Sequence, residues 1–354
     1  MWMWISGPSN MKPMLHLICA AALLVGCGGN PFLTGVDDGL PADISGTGDS
    51  AKSPIKRSEK KDAASGNGYA TGIKIEDPDP DTEGDETFFV DGLAFDGDNV
   101  YARGGAVADL GPFQVYEGDV AVLDPDTGVE IPQDLYRAVY GKSTSGRTSF
   151  AIVRTGSYAN YGFGGFVYER NGRVTLPTTG QATYSGDYAG LRDFTGRGGL
   201  EYVSGTMTMA VDFRDFNEGQ GVTGTVSGRT IFDMDGADIT DQVIAALNDE
   251  LDLEPDPVTG DTVDTELEAL PVLNFAVGPG VLKASGELDG TVGSRYIKSG
   301  GATPFETGTF YAVMADTATA TSQEVVGIIR VTATDLRYDG VTVRETGGFI
   351  LYHQ

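Results

Sequence analysis

Histidine is nearly missing from this chain: His16 and His353 are the two it has in 354 residues. That excludes Ser-His-Asp and Cys-His nucleophilic machinery and most zinc, copper and haem-iron ligand sets. Cysteine is as scarce. Cys19 and Cys27 both lie near the start, so everything downstream must hold its fold without a disulfide. Basic residues are few: 24 Lys and Arg stand against 51 Asp and Glu, a formal charge of −27. A surface of that sign repels nucleic acid and suits solubility, salty or calcium-rich surroundings, and basic partners. Long apolar runs are missing too. The run from Met14 to Val25 has about twelve residues, where a membrane-spanning helix needs roughly twenty.

A short run of this kind behind Lys12 reads as the apolar region of an export signal. Met11 is the more natural start, because the ten residues before it are uncharged and include Trp2 and Trp4. The run ends in Leu24-Val25-Gly26-Cys27, which resembles the bacterial lipobox: small Gly26 before the cut, Cys27 after it. The resemblance implies that residues 1–26 are a signal peptide and that the Cys27 thiol carries diacylglycerol. Acyl chains would then hold the protein to a membrane, at about 0.8 kcal/mol per buried CH₂. A plain signal peptide with an incidental cysteine is the alternative. Gly28 is not the aspartate of the usual inner-membrane retention cue, which implies the outer membrane, at its periplasmic face or on the cell surface.

Residues 27–84 have few aromatics and no periodicity, and read as a disordered tether. Within it KSPIKRSEKK is a basic island that reads as solvated linker. DPDPDTEGDE (Asp77 to Glu86) closes the tether and bears a slight likeness to aspartate-rich calcium loops. From Thr87 the texture changes. Glycine, 51 residues, is roughly twice its usual 7% share. With abundant Thr, Tyr and Val it predicts many short strands joined by tight turns. Residues 85–176 read as a small antiparallel β-unit, with hairpin turns at Glu117-Gly118-Asp119 and Asn171-Gly172. Tyr158, Tyr161 and Phe163 stand among glycines, where exposed aromatics serve as binding anchors. The competing reading makes Phe163 and Phe166 strand core.

Residues 177–354 form a second block. In TMTMAVDF (Thr206 to Phe213), Met207, Met209, Val211 and Phe213 face one way, and Thr206, Thr208, Ala210 and Asp212 the other. Gly224 and Gly228 mark bends or close backbone approach. ATYSGDYAG, TMTMAVDF, GVTGTVSGRTIFDM, LNFAV, GVLKASGELDGTV, TGTFYAVMA, EVVGIIRVTA and VTVRETGGFILY are strand candidates. Eight strands close a barrel just wide enough to be filled by side chains. One helix interrupts them, Ile239 to Leu251, with Val243, Ile244, Leu247 and Leu251 on one stripe and Thr240 or Asp241 as cap. It is expected to plug or flank one end. The run Asp233 to Asp238 lacks the glycine and glutamate spacing of an EF-hand and reads as a turn.

The order of these segments resembles the transferrin-binding protein B-like β-barrel lipoprotein family. The family's opening G-x-A-x-Y-x-G strand maps to Gly180, Ala182, Tyr184 and Gly186, and its late G-x-F-Y strand to Gly308, Phe310 and Tyr311. The family usually has glycine next, where this chain has Ala312. The resemblance covers residues 177–354 and implies an eight-stranded barrel in an outer-membrane lipoprotein that binds a macromolecule or ligand through loops. No stretch carries transferrin-contacting residues.

The sequence therefore predicts an all-β protein: a C-terminal eight-stranded antiparallel barrel, a small antiparallel β-unit before it, and a disordered N-terminal tether. It is expected to be a non-enzymatic binding or receptor-accessory module, without cofactor or metal. Its expected partners are a membrane, through lipid, and an unidentified ligand, with an outer-membrane transporter as a further candidate and nucleic acid excluded. A structural or adhesin-like envelope protein is the alternative, and a paired-carboxylate enzyme a third reading.

Overall fold

A computed structural model describes residues 41–43, 50–59, 70, 72–78, 81–82, 84–91, 100–118, 122–123, 126–127, 130–131, 136–158, 161–213, 221–255, 259, 262–278, 281–317 and 322–354. Residues 1–26, expected to be a signal peptide, and Cys27 lie outside them.

Eight strands form the C-terminal half: β13 (Gln181–Thr195), β14 (Leu200–Asp212), β15 (Val222–Phe232), β16 (Leu273–Val277), β17 (Glu287–Lys298), β18 (Gly301–Asp316), β19 (Gln323–Thr334) and β20 (Thr342–His353). Each pairs antiparallel with the next. β20 returns to β13, from Tyr184↔His353 to Thr195↔Thr342, and closes the barrel. The expected eight segments are these eight strands. Met207, Met209, Val211 and Phe213 are buried inside, while Thr206, Thr208 and Ala210 are exposed.

Two glycines of β15 serve different ends. A Cβ on Gly224 would lie 2.0 Å from the Phe275 ring, so a side chain there is excluded by close packing. Gly228 has φ +59°, the left-handed region that favours glycine, at the bulge where the β14–β15 register shifts between Ser204 and Thr206.

The helix α1 (Thr240–Asn248) joins β15 to β16. Its buried Val243, Ile244 and Leu247 belong to the same apolar cluster as Met207, Phe275, Phe310 and Phe349 inside the barrel, so α1 closes one end. The cap differs from expectation. Ile239 holds the N-cap position, and the Thr240 backbone N–H donates to Asp238 Oδ1 at 2.9 Å. The Thr240 hydroxyl instead accepts from the Ile231 backbone N–H at 2.9 Å, tying the helix to β15.

The N-terminal strands are β1 (Ala42–Asp43), β2 (Ile55–Ser58), β3 (Gly72–Glu76), β4 (Thr87–Asp91), β5 (Val100–Arg103), β6 (Asp109–Leu110), β7 (Phe113–Gly118), β8 (Val122–Leu123), β9 (Glu130–Ile131), β10 (Tyr136–Lys142), β11 (Thr148–Tyr158) and β12 (Tyr161–Arg170). They pair in the order β3-β4-β5-β7-β10-β11-β12-β2-β1, with β6 folded back on β7 and β8–β9 as a separate ribbon. One face lays Phe113, Phe150, Ile152 and Phe166 on the outer wall of the barrel, against Leu191, Tyr311, Val326 and Ile350. The other face carries Phe88, Tyr101, Tyr116, Tyr136 and Phe163 in a cluster of its own.

Three local expectations are corrected here. The disordered tether was expected through residue 84, yet β3 lies within it, and β2 pairs with β12 from Ile55↔Arg170 to Ser58↔Val167. Two of the charges that make KSPIKRSEKK look solvated lie in buried pairs: Arg57 reaches Glu287 at 2.7 Å, and Glu59 reaches Arg154 at 3.0 Å and Arg330 at 2.9 Å. Glu117 and Gly118 do not turn; they continue β7 opposite Arg137 and Tyr136. Asn171-Gly172 makes no hairpin either. The free side of β12 is taken by β2, so the chain leaves the sheet there for the barrel.

Candidate functional site

The closed end of the barrel gathers several turns. The β11–β12 hairpin ends there: Tyr158 stands opposite Tyr161, and Tyr161 opposite Thr195. The Gly199 N–H donates to the Gly156 carbonyl at 2.5 Å, joining that hairpin to the β13–β14 turn. The β19–β20 turn lies alongside. Arg197 stacks between the Phe194 ring at 4.0 Å and the Tyr338 ring at 4.5 Å. Phe194 is buried, whereas Tyr338 is 45% exposed. Stacking of this kind holds an arginine in one posture while its aromatic partner stays open to solvent. Arg337 bridges Glu201 at 2.8 Å and Asp335 at 2.7 Å. Burial pushes the Asp335 carboxyl up, but the hydrogen bonds and charge of Arg337 outweigh it and hold the group below the usual range.

On the other side of this end, Lys298 pairs with Glu250 at 2.9 Å and the Ser299 N–H donates to Asp264. These contacts fasten the β17–β18 tip to the segment after α1. Ile297 and Val263 stand exposed beside them.

Beneath the turns the barrel interior changes from apolar to ionic. Arg229 reaches Glu306 at 2.6 Å and Glu345 at 3.0 Å. The Tyr188 hydroxyl donates to Glu345 at 2.8 Å, and the Ser294 hydroxyl to Glu306 at 2.5 Å. Burial beside Glu345 pushes the Tyr188 phenol well above its ordinary value. Arg192 pairs with Glu201 at 2.6 Å and lies 3.6 Å from Glu345. Glu306 and Glu345 are therefore the two ends of a buried arginine clamp, an arrangement that keeps both carboxylates as acceptors. The sequence reading missed Arg192, Arg229, Glu306 and Glu345. One signal was present: Arg229 shares the inward face with Ile231, and Glu345 with Val343.

The candidate anchors separate. Phe163 is 6% exposed and meets the Tyr136 ring edge-on at 6.3 Å, so it is core of the N-terminal sheet and no surface anchor. Tyr158 and Tyr161 hold strand positions at the closed end; their side chains lie outside the described residues. Asp233 Oδ1 accepts from the Asp235 and Ala237 N–H groups at 3.0 and 2.8 Å, which makes the run a turn. Among the described residues, no group of three or more His, Cys, Asp or Glu is placed to hold a metal.

A groove of about 220 Å³ opens on the N-terminal sheet between β3 and the β10–β12 face. Ile73, Ile75 and Val167 line it, with Lys56, Lys142 and Glu169 among its polar groups. Lys56 and Glu169 pair at 3.5 Å. Burial, with the charge of Glu169, pushes the Tyr140 phenol up to about 12.

No protein-family model matches the chain. No curated protein matches it either. Among solved structures, the chain is similar to a double mutant of transferrin binding protein B from Haemophilus parasuis, at 9% identity and a TM-score of 0.33, covering 85% of this chain and 58% of that one. A single mutant of the same protein matches at 10% identity and 0.30, over 86% and 58%. Intact Ap-TbpB, with N and C lobes, matches at 9% and 0.30, over 86% and 59%. The chain thus spans less than three-fifths of the length of these proteins. At such identity and superposition nothing about ligand or partner passes from them to this chain.

Proposed function

We propose that the protein is a non-enzymatic binding or receptor-accessory module, held to the outer membrane by lipid on Cys27, that recognises its partner with the closed end of the barrel. In this reading residues 1–26 are removed as signal. The N-terminal sheet and the barrel then work as one body. The observation that carries the reading is the filled barrel. Phe275, Phe310, Met314 and Phe349 occupy one part of the interior and the Arg229 clamp another. With the interior occupied, recognition falls to the surface. There an arginine fixed between two rings and an exposed Tyr338 offer the aromatic and guanidinium chemistry typical of binding hot spots, beside the strand positions of Tyr158 and Tyr161.

The test compares capture of envelope and extracellular components by the wild type, by Arg197→Ala/Tyr338→Ala, and by a control substitution at the opposite end such as Thr179→Ala. Loss confined to the first variant is expected. Retention of every ligand by that variant sinks the reading. Mass spectrometry of the mature N-terminus tests acylation separately. The filled interior also favours a second reading, a structural or adhesin-like envelope lipoprotein with no nutrient ligand. That one requires a deletion strain to lose attachment without an uptake defect.

A further inference from the structure

Glu324 stands apart from the other buried acids. Ten carboxylates are buried among the described residues. Eight of them have an arginine nitrogen at 3.7 Å or closer. A ninth, Asp264, is held by amides on both oxygens: the Ser299 N–H donates to Oδ1, and the Asp252 N–H to Oδ2 at 2.9 Å. Glu324 is 0% exposed and has neither arrangement. Its Oε1 accepts from the hydroxyls of Ser143, Ser145 and Thr148 at 2.7, 2.9 and 2.8 Å. Its Oε2 is buried and meets no donor among the described residues.

That distribution is lopsided. A carboxylate oxygen offers about two lone pairs. Three hydroxyls crowd Oε1, while both lone pairs of Oε2 go unused. The hydroxyl oxygens also keep lone pairs, which a carboxylate cannot take up and a cation can. A buried charge is expensive unless it is paired or coordinates a metal ion. Arg147, in the same turn as the three hydroxyls, carries its guanidinium over Gly172 instead. Residues 318–321, which precede β19, contain no lysine or arginine.

We propose that Glu324, with the hydroxyls of Ser143, Ser145 and Thr148, binds a monovalent alkali cation that fastens the N-terminal sheet to the barrel. All its ligands are hard oxygens, the set that suits hard cations. The set has one carboxylate, so it differs from a multi-carboxylate or histidine metal centre. Its single negative charge selects the valence. A monovalent ion leaves the buried group neutral, whereas a divalent ion encloses an excess positive charge. The location supplies the role. Glu324 lies on β19 of the barrel, and the hydroxyls lie on the turn between β10 and β11. That turn is shaped to present them: the Ser143 N–H donates to the Thr148 carbonyl and the Gly146 N–H to the Ser143 carbonyl, both at 2.9 Å. Its other link to the barrel is the Thr144 N–H donating to the Tyr352 hydroxyl at 3.1 Å.

The test follows the melting midpoint of the protein in sodium, potassium, calcium and choline chlorides at matched ionic strength. Sodium or potassium is expected to raise the midpoint above choline, by about 2–4 °C for each tenfold rise above its dissociation constant. The better of the two identifies the ion. Amide exchange across residues 143–148 should slow in the same salt. Glu324→Gln removes the charge while its amide oxygen still accepts from the hydroxyls, and should make the midpoint the same in all four salts. Ser145→Ala removes one half-buried hydroxyl and should raise the half-saturating concentration severalfold; it carries the test if Glu324→Gln does not fold. Equal midpoints of the wild type in all salts would leave Oε2 to water and overturn the proposal. So would a sodium or potassium effect that survives Glu324→Gln, or a half-saturation unchanged in Ser145→Ala. Stabilisation by calcium alone overturns the monovalent assignment.

Discussion

In the barrel, β13 and β20 hydrogen-bond along their length, so the sheet has no edge there and each inward side chain is surrounded by others. The N-terminal sheet has shorter strands, and its ends, β3 and β1, do not meet. It reaches order by leaning on the barrel wall through an apolar face and a set of buried charges. Closure lets the barrel hold a charged layer inside, because every member finds a partner across the lumen. The open sheet places its charges at the seam instead. There Arg154 contacts Glu59 and the Thr346 hydroxyl, and Arg344 contacts Asp193 at 2.6 Å. In both places these buried charges meet the opposite sign.

The sharpest way to break this contrast is Arg229→Ala. It leaves Glu306 and Glu345 buried without their cation and should destabilise the protein by about 3–5 kcal/mol in urea unfolding. A loss near zero would mean that the interior layer contributes nothing. Glu59→Ala acts on the seam. Because Arg154 keeps Thr346 and lies 3.6 Å from Asp193, a smaller loss is expected, about 2–3 kcal/mol. Limited proteolysis should then cut the N-terminal sheet while the barrel stays intact; simultaneous digestion of both would deny that the sheet depends on the seam.

Gly224→Ala forces a methyl into the Phe275 ring and should cost about 1–3 kcal/mol, whereas Gly228→Ala meets no neighbour within 4 Å and is strained only by its φ. An alkaline titration followed at 295 nm reads both regions at once. Burial holds Tyr140 and Tyr202 protonated in the fold up to about 12. Their folded values lie above the ordinary one of about 10, so their contribution is complete below pH 10 and disappears as pH rises through 12. Phenolate absorbance from these residues should therefore appear together with unfolding; its appearance in a protein that is still folded would show them accessible. Tyr338→Ala is the mildest change, expected within about 0.5 kcal/mol in stability, with its effect on partner capture.

The barrel was legible segment by segment. TMTMAVDF alternates, ATYSGDYAG and TGTFYAVMA are bounded by glycine, and the stripe Val243, Ile244, Leu247 has helical spacing. These patterns are local, and the burial they imply is the burial observed. The closed-end site was half legible. The hairpin carrying Tyr158 and Tyr161 was singled out, but Phe163 went into the core and Arg197 with Tyr338 went unnoticed. Their meeting joins two turns that are far apart in the chain. The strand at Ile55–Ser58 was misread because its charged residues look solvated until their partners, Glu287, Arg154 and Arg330, are brought beside them.

By itself the sequence determined an all-β chain with eight C-terminal strands, one helix among them, and no cysteine or histidine chemistry in the body of the protein. Alternation, helical spacing and composition are properties of neighbouring residues, so they act before any long-range contact forms. Only the tertiary structure decided which charges turn inward and which strand occupies the open side of β12. Each of those depends on pairing between residues more than a hundred positions apart, as in Arg57 with Glu287 and Arg229 with Glu345, and a partner that distant leaves no mark on the local pattern.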